Sequence, residues 1–220
     1  MFRYKGVAIT WLGHDGFKLK ADKTVYVDPY QLGGQPEKGD LVLVSHEHFD
    51  HLSADDLKKV VGPSTTVLTI PMAEDGVKKA VQAKAVRLVR PGDRVEIDGV
   101  RIEILPAYNT NKFRSPGNPF HPKEDGKVGF IVTLGGVRIY HSGDTDNIPE
   151  MAQAKGVDIA LLPVSGTYVM TAQEALEACK AIQPKVAIPM HYGAIVGSAS
   201  DAETFKKHAG CRVELLEKEG

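Results

Sequence analysis

The segment His46-Glu47-His48-Phe49-Asp50-His51 puts four ligand-type side chains into six residues. Residues two apart in an extended segment face the same way, so His46 and His48 are spaced to grip one ion together. Asp50 and His51 fall where the chain turns and are placed to point past that ion towards a second. Imidazole and carboxylate suit Zn²⁺, Mn²⁺ or Fe. A divalent ion held this way lowers the pKa of its water to near neutrality and supplies hydroxide at physiological pH.

Two later segments add donors of the same kind. Asp144 stands just past the strand-like Val137–His141, after Gly143, which lets the backbone swing. His191 follows the apolar run Val186-Ala187-Ile188. Ligand types thus lie beyond the ends of three strands, the usual place for sites in layered α/β folds. Further candidates surround them. His14, after Gly13, is read either as close to the metals or as a histidine satisfied by hydrogen bonds. His141 is read as supporting the ligands rather than ligating. Asp28, before Pro29, is a turn residue or the partner of a ligand histidine. Tyr168 is a donor to a developing oxyanion or a packing residue. Lys112, Arg114 and Lys123 are candidates for binding an anion, and His208 belongs to the surface.

These residues need strands that stop in register. Gly6–Thr10, Gly16–Lys20 and Thr24–Val27 read as a meander, and the apolar Asp40–Ser45 as a strand covered on both faces. Ser53, with Asp55 and Asp56 behind it, caps a helix running to about Val60. A strand at Thr65–Thr69 and a helix at Met72–Ala83 follow. Asp98-Gly99 joins Arg94–Ile97 to Val100–Leu105, and Gly135-Gly136 joins Lys127–Leu134 to Val137–His141, both as hairpins. Strands at Asp158–Leu162, Lys185–Pro189 and Arg212–Leu216 alternate with helices at Ala172–Ile182 and near Asp201–His208. Ala107–Gly126, rich in proline and asparagine, has no period and reads as a functional loop. The pattern implies two sheets with helices outside, an α/β sandwich.

Composition narrows the partners. The 220 residues carry 27 Lys+Arg against 28 Asp+Glu, a formal charge of −1. That balance argues against nucleic acid or an anionic membrane as the main partner and favours a small-molecule substrate. One domain spanning 1–220 is the expectation at this length. Cys179 and Cys211 make no disulfide framework and no metal-spaced pair, which points to a reduced, cytoplasmic protein. The sequence offers no apolar run long enough for a membrane span or signal peptide.

With these motifs in hand, the chain resembles the metallo-β-lactamase superfamily over nearly its whole length. The likeness rests on His46-x-His48-x-Asp50-His51, Gly143-Asp144-Thr145 and His191. Trp11-Leu12-Gly13-His14, Val27-Asp28-Pro29 and Ile188-Pro189-Met190-His191-Tyr192-Gly193 look like the branch containing L-ascorbate-6-phosphate lactonase. The resemblance implies an αββα four-layer sandwich with two divalent ions, zinc first, manganese or iron as alternatives. It assigns His46, His48 and Asp144 to one ion and Asp50, His51, Asp144 and His191 to the other. Asp144 would bridge, and Asp50 would also orient the attacking hydroxide. The family's third histidine for the first ion is missing: Pro106-Ala107-Tyr108-Asn109 holds an asparagine there. Asn109, His121 and His14 are the candidates to complete that shell. The implied activity is hydrolysis of a small cyclic ester, lactone or phosphodiester, with a homo-oligomer by family analogy. A mononuclear iron dioxygenase, another redox enzyme on this frame, and a non-catalytic binding module are the competing readings.

Overall fold

The computed structural model describes residues 1–219. They divide into two compact units, Met1–Val89 with the segment from Leu216 onward, and Arg90–Leu215.

In the first unit, β1 (Phe2–Tyr4), β2 (Val7–Gly13), β3 (Gly16–Lys20) and β4 (Thr24–Val27) form an antiparallel meander. β5 (Leu41–Leu43), β6 (Thr66–Thr69) and β7 (Ala85–Leu88) extend it in parallel, giving seven strands in chain order. Parallel neighbours need a crossover. The one between β5 and β6 carries α1 (Ala54–Val60), and the one between β6 and β7 carries α2 (Glu74–Ala80). Helices of seven residues are too short to hold in water alone, so tertiary packing must stabilise them. Leu57, Val60 and Val77 supply it by burying against Val42, Val44 and Val67 of the sheet.

Two departures from the expected elements have local causes. The strand expected at Asp40–Ser45 keeps sheet pairing only over Leu41–Leu43. The Val44 amide still bonds the Leu68 carbonyl, but the Ser45 amide donates to Asp28 Oδ1 at 2.8 Å. A side chain thus replaces the ladder partner just where the histidine segment begins. The helix expected at Met72–Ala83 opens as a 3-10 turn, Pro71–Ala73, and ends at Ala80, where Val81 turns extended. The expected cap is present: Ser53 Oγ accepts from the Asp56 amide.

The second unit holds β8 (Arg94–Ile97), β9 (Val100–Pro106), a small hairpin of β10 (Phe113–Ser115) and β11 (Asn118–Pro119), then β12 (Val128–Leu134) and β13 (Val137–His141). After them come β14 (Ile159–Pro163), α3 (Ala172–Ile182), β15 (Val186–Met190), α4 (Ala199–His208) and β16 (Arg212–Val213). Its main sheet runs β16-β15-β14-β13-β12-β9-β8, parallel over β13–β16 and antiparallel over the hairpins. Both hairpin turns put two successive residues at positive φ, Asp98-Gly99 and Gly135-Gly136, as the twist of paired strands requires. Thr171 and Glu174 close a reciprocal capping box at the start of α3. The final strand is two residues long, shorter than the stretch to Leu216 expected from its apolar character. The loop Ala107–Gly126 carries the β10–β11 hairpin and a 3-10 turn at Lys123–Asp125, so it has more internal structure than its sequence suggests.

Candidate metal centre

In the first unit, buried donors converge on one place. His51 lies beyond the end of β5 with its Nδ1 2.8 Å from Asp28 Oδ2. A carboxylate only accepts, so Nδ1 carries the proton, and in the neutral ring Nε2 carries the lone pair. Nε2 then stands 3.6 Å from Asp15 Oδ2 and 3.8 Å from Asp50 Oδ2. His14 Nε2 stands 3.0 Å from Asp50 Oδ2 and 3.6 Å from Asp15 Oδ2. Ligands about 2.0–2.1 Å from a single ion sit roughly 3–3.4 Å apart, so all four spacings are near those of one coordination sphere. His14, Asp15 and His51 are all at most 1% exposed.

His46 is fixed by the same logic. Ser45 Oγ gives its only proton to Asp28 Oδ2 at 2.6 Å, so it must accept from His46 Nδ1 at 2.9 Å. His46 Nε2 therefore carries the lone pair, and it lies 3.0 Å from His48 Nδ1. Asp28 holds both rings, one directly and one through Ser45, while wholly buried at a φ of +43°. Tyr30 and Phe49 meet edge to face beside these donors, and Phe49 is 66% exposed.

The second unit shows the same construction. His191 follows β15 with φ +58°. Ser165 Oγ donates to the Thr167 carbonyl and accepts from His191 Nδ1 at 2.9 Å. His191 Nε2 stands 3.5 Å from Asp144 Oδ2. His121, from the long loop, brings Nε2 to 3.3 Å from the same carboxylate oxygen. Its Nδ1 and its backbone amide both donate to Asn109 Oδ1 at 2.9 Å, while Asn109 Nδ2 donates to the Tyr168 carbonyl. Asn109 thus spends its amide on His121 and Tyr168.

Asp144 depends on a turn that tolerates no side chain before it. Gly143 has φ +63°, and a Cβ there would lie 2.5 Å from the Val128 carbonyl oxygen. His141 Nδ1 accepts from the Gly143 amide, so this histidine shapes the turn. Tyr168, at φ +70°, packs its ring edge-on against Phe120 at 4.7 Å. Of the eight non-glycine residues at positive φ among the described residues, His14, Asp28, Tyr168 and His191 belong to these donor sets or their supports. Such strain concentrates where the surroundings over-determine the geometry.

The loop cations are otherwise engaged. Lys112 pairs with Glu174 and Asp146, Lys123 with Glu150, and the Arg114 guanidinium sits over the Phe120 ring. His208 is exposed on α4. Asp15 is the residue that reading the sequence missed. Its only signal is a carboxylate beside a histidine in the tight turn between β2 and β3, where a solvated aspartate is the commoner occurrence.

Residues 8–191 match the family described as the beta-lactamase superfamily domain. The chain is 34% identical over 204 residues to the UPF0173 metal-dependent hydrolase of Methanoculleus marisnigri, covering 90% of this chain and 87% of that one. It is 34% identical over 218 residues to a relative of the same description from Thermoplasma acidophilum, covering 94% and 92%. A crystal structure from Parabacteroides distasonis, assigned as a metal-dependent hydrolase, superposes with a TM-score of 0.81 at 32% identity, covering 97% of this chain and 94% of that one. The fold class is the αββα one of metallo-β-lactamases. The chain belongs to the metallo-β-lactamase superfamily, as one of its metal-dependent hydrolases. No helix among the described residues is long and apolar enough to cross a membrane.

Proposed function

We propose that this chain is a dinuclear hydrolase of small cyclic esters, lactones or phosphodiesters, acting as a single catalytic domain over 1–220. The family match runs from residue 8 to 191 and so takes in both donor sets. The observation that carries the reading is the common orientation of four histidines. His46, His51, His121 and His191 each give the Nδ1 proton to an acceptor in their own unit, leaving Nε2 as the basic nitrogen. Neutral imidazole oriented through its other nitrogen is how metal sites hold their histidines.

The residues fit divalent ions of borderline softness: imidazole nitrogens and carboxylates, with no thiolate. In this proposal His46, His48, His121 and Asp144 hold one ion, His121 standing in for the family's missing histidine. Asp50, His51, Asp144 and His191 hold the other, and His14 and Asp15 flank Asp50 and His51. Bound divalent ions supply Lewis acidity and lower the pKa of water they hold. The chain's own residues do the rest. Asp50 Oδ2 keeps a negative charge next to the donors and accepts a proton from the nucleophile. Asp28 and Ser45 keep the His46 and His51 rings in the right tautomer. Tyr30 and Phe49 offer an apolar wall that suits the uncharged ring of a lactone. The near-neutral charge of the chain and the ion pairing of Lys112 and Lys123 both favour a small substrate over a polyanion.

Metal analysis of the purified protein, followed by turnover of lactone, phosphodiester, thioester and β-lactam panels, tests the proposal. Near two zinc or manganese ions per chain and a cyclic ester hydrolysed by the wild type, but not by Asp50→Ala, are expected. One iron per chain with oxygen-dependent turnover would replace the hydrolase reading with an oxygenase.

A further inference from the structure

Away from the donor sets, the second unit holds both cysteines of the chain side by side. Cys179, on the last turns of α3, is buried, and Cys211, just before β16, is half-buried. Both line one cavity of about 310 Å³, together with Gln183, Pro184 and Gly210. The only two cysteines of the chain, Cys179 and Cys211, thus meet at the wall of one cavity.

We propose that Cys211 and Cys179 form a peroxide-reactive dithiol that closes to an intrachain disulfide. The environments of the two sulfurs differ in the way the reaction needs. The hydrogen bond from Cys179 lowers the Cys211 thiol to about 7; burial opposes this, and the Ala187 backbone adds to it. The partner's hydrogen bond, with burial, pushes Cys179 up, so it keeps its proton. Cys211 is thus the thiolate and the more accessible of the two, and Cys179 is the resolving thiol.

In the first step the Cys211 sulfur attacks one oxygen of a hydroperoxide. The O–O bond breaks, an alcohol or water leaves, and Cys211 becomes a sulfenic acid while the peroxide is reduced by two electrons. In the second step the Cys179 sulfur displaces the sulfenic hydroxyl. An S–S bond forms, the S–O bond breaks, and water leaves with the Cys179 proton. Two thiols and one hydroperoxide give one disulfide, one alcohol and one water. The new bond ties α3 to the segment before β16 and encloses β15, the strand that leads to His191.

The test uses the full chain with its metal in place and hydrogen peroxide as the probe. With about one equivalent of peroxide, both thiols should disappear together, the intact mass should fall by two hydrogens, and dithiothreitol should restore both. Peptide mapping should show Cys179 joined to Cys211 within one chain. Cys179→Ser should stop at a sulfenic acid on Cys211 that dimedone traps. Cys211→Ser should lower the reactivity of the remaining thiol at least tenfold. Sulfinic acid on Cys211 with Cys179 still a thiol in the wild type would overturn the proposal. Disulfide-linked dimers, or two unreacted thiols, would also overturn it.

Discussion

Asn109→Ala is the sharpest probe of the centre, because Asn109 sits where the family keeps a metal-binding histidine and yet turns its side chain to another task. Its Oδ1 accepts from the His121 amide and from His121 Nδ1, and its Nδ2 donates to the Tyr168 carbonyl. His121 is 1% exposed, so truncation leaves two donors with no water to replace the lost acceptor. An unsatisfied buried donor costs about 1–3 kcal/mol, so with two of them the metal-free protein should lose roughly 2–6 kcal/mol in urea unfolding. The ring would also lose what fixes its tautomer and direction. Removing such a support typically weakens metal binding about 10–100-fold. Competition titration against a chromophoric chelator should show one equivalent weakened by that factor and the other little changed. Asn109→Asp keeps the acceptor for His121 but sets a buried carboxylate oxygen against the Tyr168 carbonyl, so it should bind both ions while losing about 1–3 kcal/mol. If Asn109→Ala binds both equivalents as tightly as the wild type, His121 is not a ligand and the account of this loop is wrong. His121→Ala supplies the cross-check, since it should match Asn109→Ala at the weakened equivalent.

Other outcomes follow from single contacts. Asp144→Ala should strip most metal from both positions, since His121 and His191 share its Oδ2; plasma emission analysis of the purified variant reads this directly. Asp50→Asn should lower kcat by more than it lowers metal affinity, because an amide keeps an oxygen but not the charge; equal losses would make Asp50 a plain ligand. Burial opposes ionisation of Glu174, yet hydrogen bonds from Lys112, the Thr171 backbone and Asn111 outweigh it and lower its carboxyl to about 2. A depressed folded pKa stabilises above the ordinary value of 4.5, and that contribution is lost as pH falls towards 2. Glu174→Gln should therefore cost at most about 3 kcal/mol at pH 7, with the difference from wild type shrinking between pH 4.5 and 2 in denaturant titrations.

Much of the fold was legible because its elements carry strong local signals. The α3 boundaries follow from a capping box and an apolar face, and both antiparallel hairpins from two-residue turns that need positive φ. What escaped had weak signals of its own. β1 and β7 are short, partly exposed strands that exist through pairing with β2 and β6 rather than through alternation. The end of β5 could not be read either, because the residue that takes the Ser45 amide out of the ladder is Asp28, seventeen positions earlier. Local propensity cannot encode a competitor that arrives through tertiary structure.

The donor set divides along the same line. Histidines and carboxylates at strand ends announce themselves, since His46, His48, Asp50 and His51 occupy one short segment and their spacing alone implies shared ligation. The groups that make them ligands do not. Ser45, Asn109 and Ser165 are ordinary polar residues in sequence, and each accepts one Nδ1 proton. Asn109 in particular looks like a degraded metal site when read beside its neighbours. In space its carboxamide oxygen closes the loop onto His121 by accepting from both the amide and Nδ1, at a position where a histidine could not accept two hydrogen bonds from the same residue. In the proposed centre Asn109 and His121 therefore act as one unit, the carboxamide oxygen holding the imidazole that would ligate.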